Sequence, residues 1–137
     1  DWILFDTAAG MGAPFTAAAQ LAEHALLVLT PDPVALRDGR IVADALIAGG
    51  HAQDSVRLVV NRIARQSFGP KAPVYDLDEC IDTVGVRLIG AIPESTALQL
   101  AGAQGTAVPE GCAARTAGAA IAGRLLGERI PLTFTGW

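Results

Sequence analysis

Four short runs of mostly apolar residues are spread along the chain, and each ends abruptly at a polar or turn-forming residue. These runs cover residues 2–5, 25–30, 56–61 and 87–92. Apolar runs of this length are typical of strands that are buried on both faces, as in parallel sheets. The pattern therefore predicts four buried strands.

The segments between these runs combine helical spacing with residues that begin or end helices. They predict helices over residues 15–22, 33–48, 77–84, 95–104 and 110–126. Asp32 and the Asp76-x-x-Glu79 pattern predict N-terminal caps, and Gly85 predicts a helix end. The order β-α-β-α-β-α-β-α-α implies right-handed crossovers. We therefore predict one α/β domain, a parallel sheet with flanking helices.

Helical spacing also predicts which helix faces pack against the sheet. In the second helix the predicted inward residues are Val34, Ile41, Val42, Ala45 and Leu46, and in the last helix they are Ala114, Ala117, Ile121 and Leu125. Between the third strand and the third helix, Gly69, Pro70 and Pro73 predict a loop.

Composition and charge narrow the function classes. Hydrophobic residues make up 51% and charged residues 18% of 137 positions, which argues against disorder. The net charge of −4 argues against nucleic acid as a partner, because such surfaces are basic. Cys80 and Cys112 lack metal-site spacing and fit reduced thiols in a cytoplasmic setting.

Polar residues follow the predicted strands where parallel sheets bind their ligands, at one shared edge. The candidate residues are Asp6, Gly10, Asn61, Arg62, Pro93 and Glu94. A carboxylate can bind Mg²⁺ directly or through water, and an asparagine amide can pair with an adenine edge. A plainer interpretation stays open, in which Asp6 ends a strand, Gly10 serves a turn and Asn61-Arg62 caps a loop.

Six segments of the chain follow one another in a familiar order. They are DTAAG at 6–10, TPD at 30–32, VVNR at 59–62, IDTVGV at 81–86, LIGAIPE at 88–94 and GERIPL at 127–132. In residue identity and spacing these segments resemble the C-terminal half of the MinD/ParA family of deviant-Walker P-loop ATPases. The resemblance implies a P-loop NTPase-like, partial Rossmann-like three-layer fold. Residues 1–137 are then expected to be the C-terminal portion of such an ATPase domain, lacking its N-terminal P-loop segment.

The resemblance assigns the base-binding side of a nucleotide site, with ATP or ADP and Mg²⁺ as ligands of the intact parent protein. Asn61 corresponds to the adenine-reading asparagine of the family, with Arg62 beside it. Pro93 and Glu94 correspond to the loop that closes over the base.

On the phosphate side the resemblance is less complete. Asp6 corresponds to the Walker B aspartate, which holds Mg²⁺ through water, and Gly10 would offer its backbone N–H to the γ-phosphate. Ala8 replaces the usual proline, and no G-x-x-x-x-G-K-[ST] phosphate loop is present. No catalytic residue is assigned, and we expect the chain alone to be inactive as an ATPase.

The family sheet places the phosphate-loop strand between the strands equivalent to residues 2–5 and 26–29. Without that strand, the two runs must pair directly, stay apart or accept a strand from another chain. An unpaired strand edge promotes association, so we expect a marginal, dimeric or rearranged chain.

The resemblance further implies an ATP-dependent homodimer that acts in the spatial regulation of cell division, with a cell-division regulator protein as a partner. The expected location is the cytoplasm, with the inner membrane face as a variant for the intact protein. Membrane contact is unsupported, because the chain ends without a basic amphipathic stretch. Two alternatives stay open: a non-catalytic interaction module of this fold, and a related flagellar, pilus-positioning or metallocentre-insertion ATPase.

Overall fold

The computed structural model describes residues 1–64 and 76–132. In it, three parallel strands form a sheet that has helices on both faces. In chain order the elements are α1 (Ala13–Leu21), β1 (Ala25–Leu29), α2 (Pro33–Ala48), β2 (Val56–Ile63), α3 (Leu77–Val84), β3 (Arg87–Pro93), α4 (Thr96–Gln104) and α5 (Ala113–Leu125). The strands lie in the order β1-β2-β3, and both pairings are parallel. The predicted α/β class with a parallel sheet and flanking helices is confirmed.

The predicted caps determine where two of the helices begin. Asp32 accepts a hydrogen bond from the Ala35 N–H (2.9 Å) and another from the Thr30 hydroxyl (2.5 Å). These two bonds hold the pKa of the Asp32 carboxyl below its usual value. At α3, Asp76 Oδ1 accepts from the Glu79 N–H (2.8 Å), and Glu79 Oε2 accepts from the Asp76 N–H (3.0 Å). This reciprocal pair is the capping box that the sequence predicted.

The core is divided between the two faces of the sheet. On one face α2 and α3 pack over β1 and β2, and this larger cluster includes the fully buried Leu36, Leu58 and Cys80. On the other face α5 packs against β3, where Ile121 contacts the cluster of Val59 and Ile89. The described residues therefore form three layers.

The predicted inward face of α2 is wrong in part. Val34 and Ile41 are 65% and 51% exposed, and Ala45 is exposed as well. The buried residues of this helix are Leu36, Gly39, Ala43 and Leu46. An added Cβ at Gly39 would overlap Leu29 Cδ1, so α2 approaches β1 closely through its small residues. Large apolar side chains dominated the predicted periodicity, but Gly39 and Ala43 share the contact face with Leu36 and Leu46. In α5, Ala114 and Ile121 are buried as predicted.

The predicted first strand, residues 2–5, is also wrong. These residues form no strand, and Trp2, Ile3, Leu4 and Phe5 are 60%, 78%, 86% and 49% exposed. A parallel strand requires a neighbour to pair with, and apolar character alone does not supply one. Residues 2–5 therefore stay apart from the sheet, where β1 forms one end. The loop predicted around Gly69, Pro70 and Pro73 lies outside the described residues.

Candidate functional site

The carboxyl ends of β2 and β3 bring four of the six predicted site residues together. Asn61 is opposite Ile92 in the parallel register, and Ile63 is opposite Pro93. The Glu94 N–H then donates to the Ile63 carbonyl at 3.0 Å, which extends the strand pairing by one residue. Asn61, Arg62, Pro93 and Glu94 consequently lie at one edge of the sheet.

Arg62 is the extra residue of a bulge in β2. The register shifts between Asn61 and Ile63, and Arg62 has a φ of 56°, in the left-handed region. This conformation costs a non-glycine residue about 1–2 kcal/mol. Asn61 Oδ1 accepts the Arg62 N–H at 2.9 Å, which satisfies a backbone donor that the bulge removes from the strand pairing. The Asn61 side chain therefore helps to shape the bulge.

An ion pair connects the two strand ends across the site. Arg62 Nη2 lies 3.2 Å from Glu94 Oε1, and the two side chains are 59% and 50% exposed. Exposed pairs of this kind contribute only about 0–1 kcal/mol to stability. The pair is therefore easily rearranged when another group binds Arg62 or Glu94.

Beside these residues is a shallow cavity of about 380 Å³. It is lined by Asn61, Arg62, Pro93, Ser95, Leu98 and Gln99. Ser95 caps α4 by accepting the Leu98 N–H at 3.2 Å, so the start of α4 forms one wall. The sequence predictions missed Ser95, Leu98 and Gln99. A signal for them was present, because a helix that begins directly after Pro93-Glu94 must place its first turn at this edge.

The cavity combines groups that suit a flat heteroaromatic ring. Asn61 retains one acceptor lone pair on Oδ1 and two donors on Nδ2, and such a donor–acceptor pair matches an adenine edge. Leu98 and Pro93 offer apolar contact, and the planar Arg62 guanidinium can stack on a ring.

Asp6 and Gly10 are not among the residues that line this cavity. Both are exposed, and in the described part of the chain neither forms a hydrogen bond or ion pair with the residues that line it. Gly10 has a φ of 99°, which explains a glycine at that turn. Across residues 1–64 and 76–132 there is no group of three His, Cys, Asp or Glu side chains that could hold a metal ion. One exposed carboxylate does not fit a complete Mg²⁺ site, so the role of Asp6 stays a prediction.

The two thiols differ in their surroundings. Burial of Cys80, reinforced by the charges of Asp76 and Glu79, raises the pKa of its thiol to about 11. Cys112 lies 3.4 Å from Ser95 Oγ, and this hydrogen bond lowers the pKa of the Cys112 thiol. Cys112 is thus the more reactive of the two thiols.

Among the described residues, none of the helices has the length and apolar character that a membrane span requires.

Comparison with known proteins shows relatives along most of the chain. No family model matches it. The septum site-determining protein MinD of Bacillus subtilis is 31% identical over 137 aligned residues, which cover 96% of this chain and 49% of that protein. A Nephroselmis olivacea protein named as a MinD is 40% identical over 93 residues, 68% of this chain and 33% of that one.

Solved structures show the same relationship. A structure of the MinC:MinD cell division complex of Aquifex aeolicus aligns with a TM-score of 0.83 and 29% identity, over 93% of this chain and 52% of that one. The Pyrococcus horikoshii MinD structure, complexed with Mg-ADP, aligns with a TM-score of 0.73 at 21% identity, over 91% and 52%. At that identity the second match supports the fold alone.

These matches define the class first: the chain has the parallel α/β fold of the P-loop NTPases. By sequence and structure, it is homologous to a part of the septum site-determining protein MinD. The chain spans about a third to a half of the length of the curated relatives that it matches.

Proposed function

We propose that this chain is the base-binding part of a MinD-like ATP-binding protein, and that the parent protein is an ATPase that acts in septum site placement. One observation carries the proposal: Asn61, Arg62 and Pro93 line one cavity on the carboxyl edge of the sheet, and Glu94 pairs with Arg62 beside it. This is the edge at which open α/β sheets bind nucleotides. In this proposal Asn61 reads adenine, while Arg62, Pro93 and Glu94 surround the base.

The proposed ligands of the parent protein are ATP or ADP with Mg²⁺. The Pyrococcus horikoshii structure, which contains Mg-ADP, supports this class of ligand. Asp6 and Gly10 are proposed to act on the Mg²⁺ and γ-phosphate side once the rest of the site is assembled. Because no phosphate loop adjoins the base cavity in the described residues, ATP is expected to bind at that cavity no more tightly than adenosine, and the chain alone is expected to hydrolyse none.

The proposed setting is the cytoplasm, with ATP-dependent homodimer formation and a cell-division regulator as partner. The Aquifex aeolicus MinC:MinD complex supports a partner of this kind. Neither nucleic acid nor membrane contact forms part of the proposal.

Base selectivity tests the proposal directly. An asparagine presents both a donor and an acceptor, whereas an aspartate presents acceptors alone and matches the adjacent N–H donors of guanine. We expect the chain to bind adenosine about tenfold more tightly than guanosine, since one good bidentate pair discriminates by about 1–3 kcal/mol. The variant Asn61→Asp should reverse this preference, and Asn61→Ala should abolish it.

Equilibrium titration by NMR or calorimetry with both nucleosides provides the measurement. Gln53→Ala is a suitable control, because Gln53 bonds the Gly85 carbonyl (3.0 Å) elsewhere in the fold. Equal affinity for the two nucleosides in the unsubstituted chain, or an unchanged preference in Asn61→Asp, would disprove base reading by Asn61.

A non-catalytic interaction module is the alternative function, and the exposed apolar residues 2–5 favour it because they can contact another chain. The reading frame upstream of Asp1 separates the two. A glycine-rich loop that ends in Lys-Thr or Lys-Ser supports the ATPase, and a frame without such a loop supports the module.

A further inference from the structure

At the opposite end of the strands there is a second, larger cavity that the proposed nucleotide site does not use. It has a volume of about 470 Å³ and lies at the start of β2 and β3. Four arginines line it, Arg57, Arg87, Arg124 and Arg129, together with a single carboxylate, Glu128. Four of the ten Lys and Arg residues of a chain with net charge −4 thus surround one cavity.

The register of the sheet makes this concentration of charge unusual. Arg57 and Arg87 are direct cross-strand partners in the β2–β3 pairing. Residues two further along each strand, Val59 and Ile89, pack under α5, so the two arginines share that face. Neighbouring strands are about 4.8 Å apart, and like charges directly opposite one another are destabilising.

No carboxylate in the described part of the chain neutralises these arginines. The ion pairs there join Arg40 to Asp44, Arg62 to Glu94 and Arg115 to Glu110. Glu128 also lines the cavity, but it forms no ion pair with the arginines there. With four arginines and one carboxylate among the described lining residues, the cavity therefore has a net positive charge.

Arg124 has a structural role that the other three lack. Its guanidinium donates to the carbonyls of Ile89 (2.8 Å), Ile130 (3.0 Å) and Pro131 (2.7 Å). These bonds hold residues 130–131 against the start of β3 and so build one wall of the cavity. Arg57, Arg87 and Arg129 remain available for a ligand.

We propose that Arg57, Arg87 and Arg129 form a binding site for a phosphate group. A phosphate carries close to two negative charges and several acceptor oxygens, so it can bridge guanidinium groups that otherwise repel one another. The phosphate belongs either to a free phosphorylated compound or to an anionic lipid headgroup. This site is separate from the carboxyl edge of the sheet, and it does not depend on the proposed nucleotide binding.

Thermal unfolding of the 137-residue chain with inorganic phosphate tests the site. The variants are Arg57→Gln, Arg87→Gln and Arg129→Gln, and the control is Arg37→Gln, an exposed arginine of α2 that removes the same charge elsewhere. Phosphate should raise the melting temperature of the unsubstituted chain and of the control. Its apparent affinity should fall about tenfold for each cavity arginine removed, because hydrogen bonds between charged groups are strong.

The sign of the effect without phosphate is an independent readout. Removal of one member of a repelling pair should leave Arg87→Gln at least as stable as Arg37→Gln. Arg129→Gln keeps the test valid if a strand variant folds poorly, because Arg129 is exposed and lies beyond α5. An unchanged phosphate response in Arg129→Gln and in Arg57→Gln, or a clear loss of stability in phosphate-free Arg87→Gln alone, would overturn the site.

Vesicle sedimentation identifies the source of the phosphate. Binding to phosphatidylglycerol but not phosphatidylcholine vesicles, lost in Arg129→Gln and kept in Arg37→Gln, points to a lipid headgroup. A response to inorganic phosphate without vesicle binding points to a free phosphorylated compound. If neither inorganic phosphate nor the anionic vesicles bind, the proposal is wrong.

Discussion

Gly90, in the middle of β3, lies where α5 crosses the sheet, and an alanine there should separate the two elements. An added Cβ at Gly90 would overlap Ile121 Cγ1 and lie 2.9 Å from Ile121 Cδ1 and 3.3 Å from Arg124 Nη1. Ile121 is 7% exposed and belongs to the smaller core cluster, so it has little space to move into. Gly90→Ala therefore forces α5 outward.

The expected cost follows from the contacts that would be disturbed. Inserting a methyl group into a well-packed core costs about 1–3 kcal/mol. The same outward shift stretches the Arg124–Ile89 hydrogen bond, and loss of a bond from a charged donor costs about 1.5–3 kcal/mol. We expect Gly90→Ala to lower the free energy of unfolding by about 2–4 kcal/mol.

A double-mutant cycle with Ile121 tests whether the clash is the cause. Ile121→Ala alone should cost about 2–5 kcal/mol by leaving a cavity. In the double variant, the new methyl group enters that cavity. The combined loss should then be smaller than the sum of the two single losses by at least about 1 kcal/mol.

Urea denaturation followed by circular dichroism provides the free energies. Gly118→Ala is a matched control in α5, the helix that contains Ile121, because an added Cβ at Gly118 meets nothing within 4 Å. This control should stabilise the chain by about 0.5–1 kcal/mol, since alanine is the better helix former. Strictly additive losses at positions 90 and 121 would refute the packing argument.

Two further predictions concern reactivity and association. Iodoacetamide at pH 8 should modify Cys112 before Cys80, and modification of Cys80 first would contradict this. The free energy of unfolding should fall between about pH 9 and pH 11, because the buried Cys80 thiol of the folded chain (pKa about 11) keeps its proton after the thiol of the unfolded chain has lost it. Leu26 and Val28 are exposed apolar residues of β1 and should promote association of the chain. The mass measured by light scattering should rise with concentration, and this rise should be smaller in Val28→Lys; a monodisperse monomer at every concentration would count against this.

The sequence predicted the elements well where local chemistry determines them. The caps at Asp32 and Asp76 and the ends of α3 and α5 follow from contacts within a few residues. The strand at residues 2–5 failed for the opposite reason. Apolar character marks a need for burial, but pairing depends on a neighbouring strand elsewhere in the chain.

The candidate site was predictable in part. Asn61 and Glu94 were expected to meet because parallel strands end at a common edge, and the structure brings them together. The bulge at Arg62 was not foreseen, since it depends on the register between β2 and β3. The pairing of Arg57 with Arg87 was not predicted for the same reason. Both arginines precede apolar runs, but only the register shows that they are direct neighbours.

Amide NMR shifts during an adenosine titration test base binding at the carboxyl edge most directly. We expect the largest changes at Asn61, Arg62 and Glu94 and at Leu98 in the first turn of α4, with little change at Arg87. Shifts centred on Arg87, or none up to the solubility of adenosine, would contradict a base-binding site at the ends of β2 and β3.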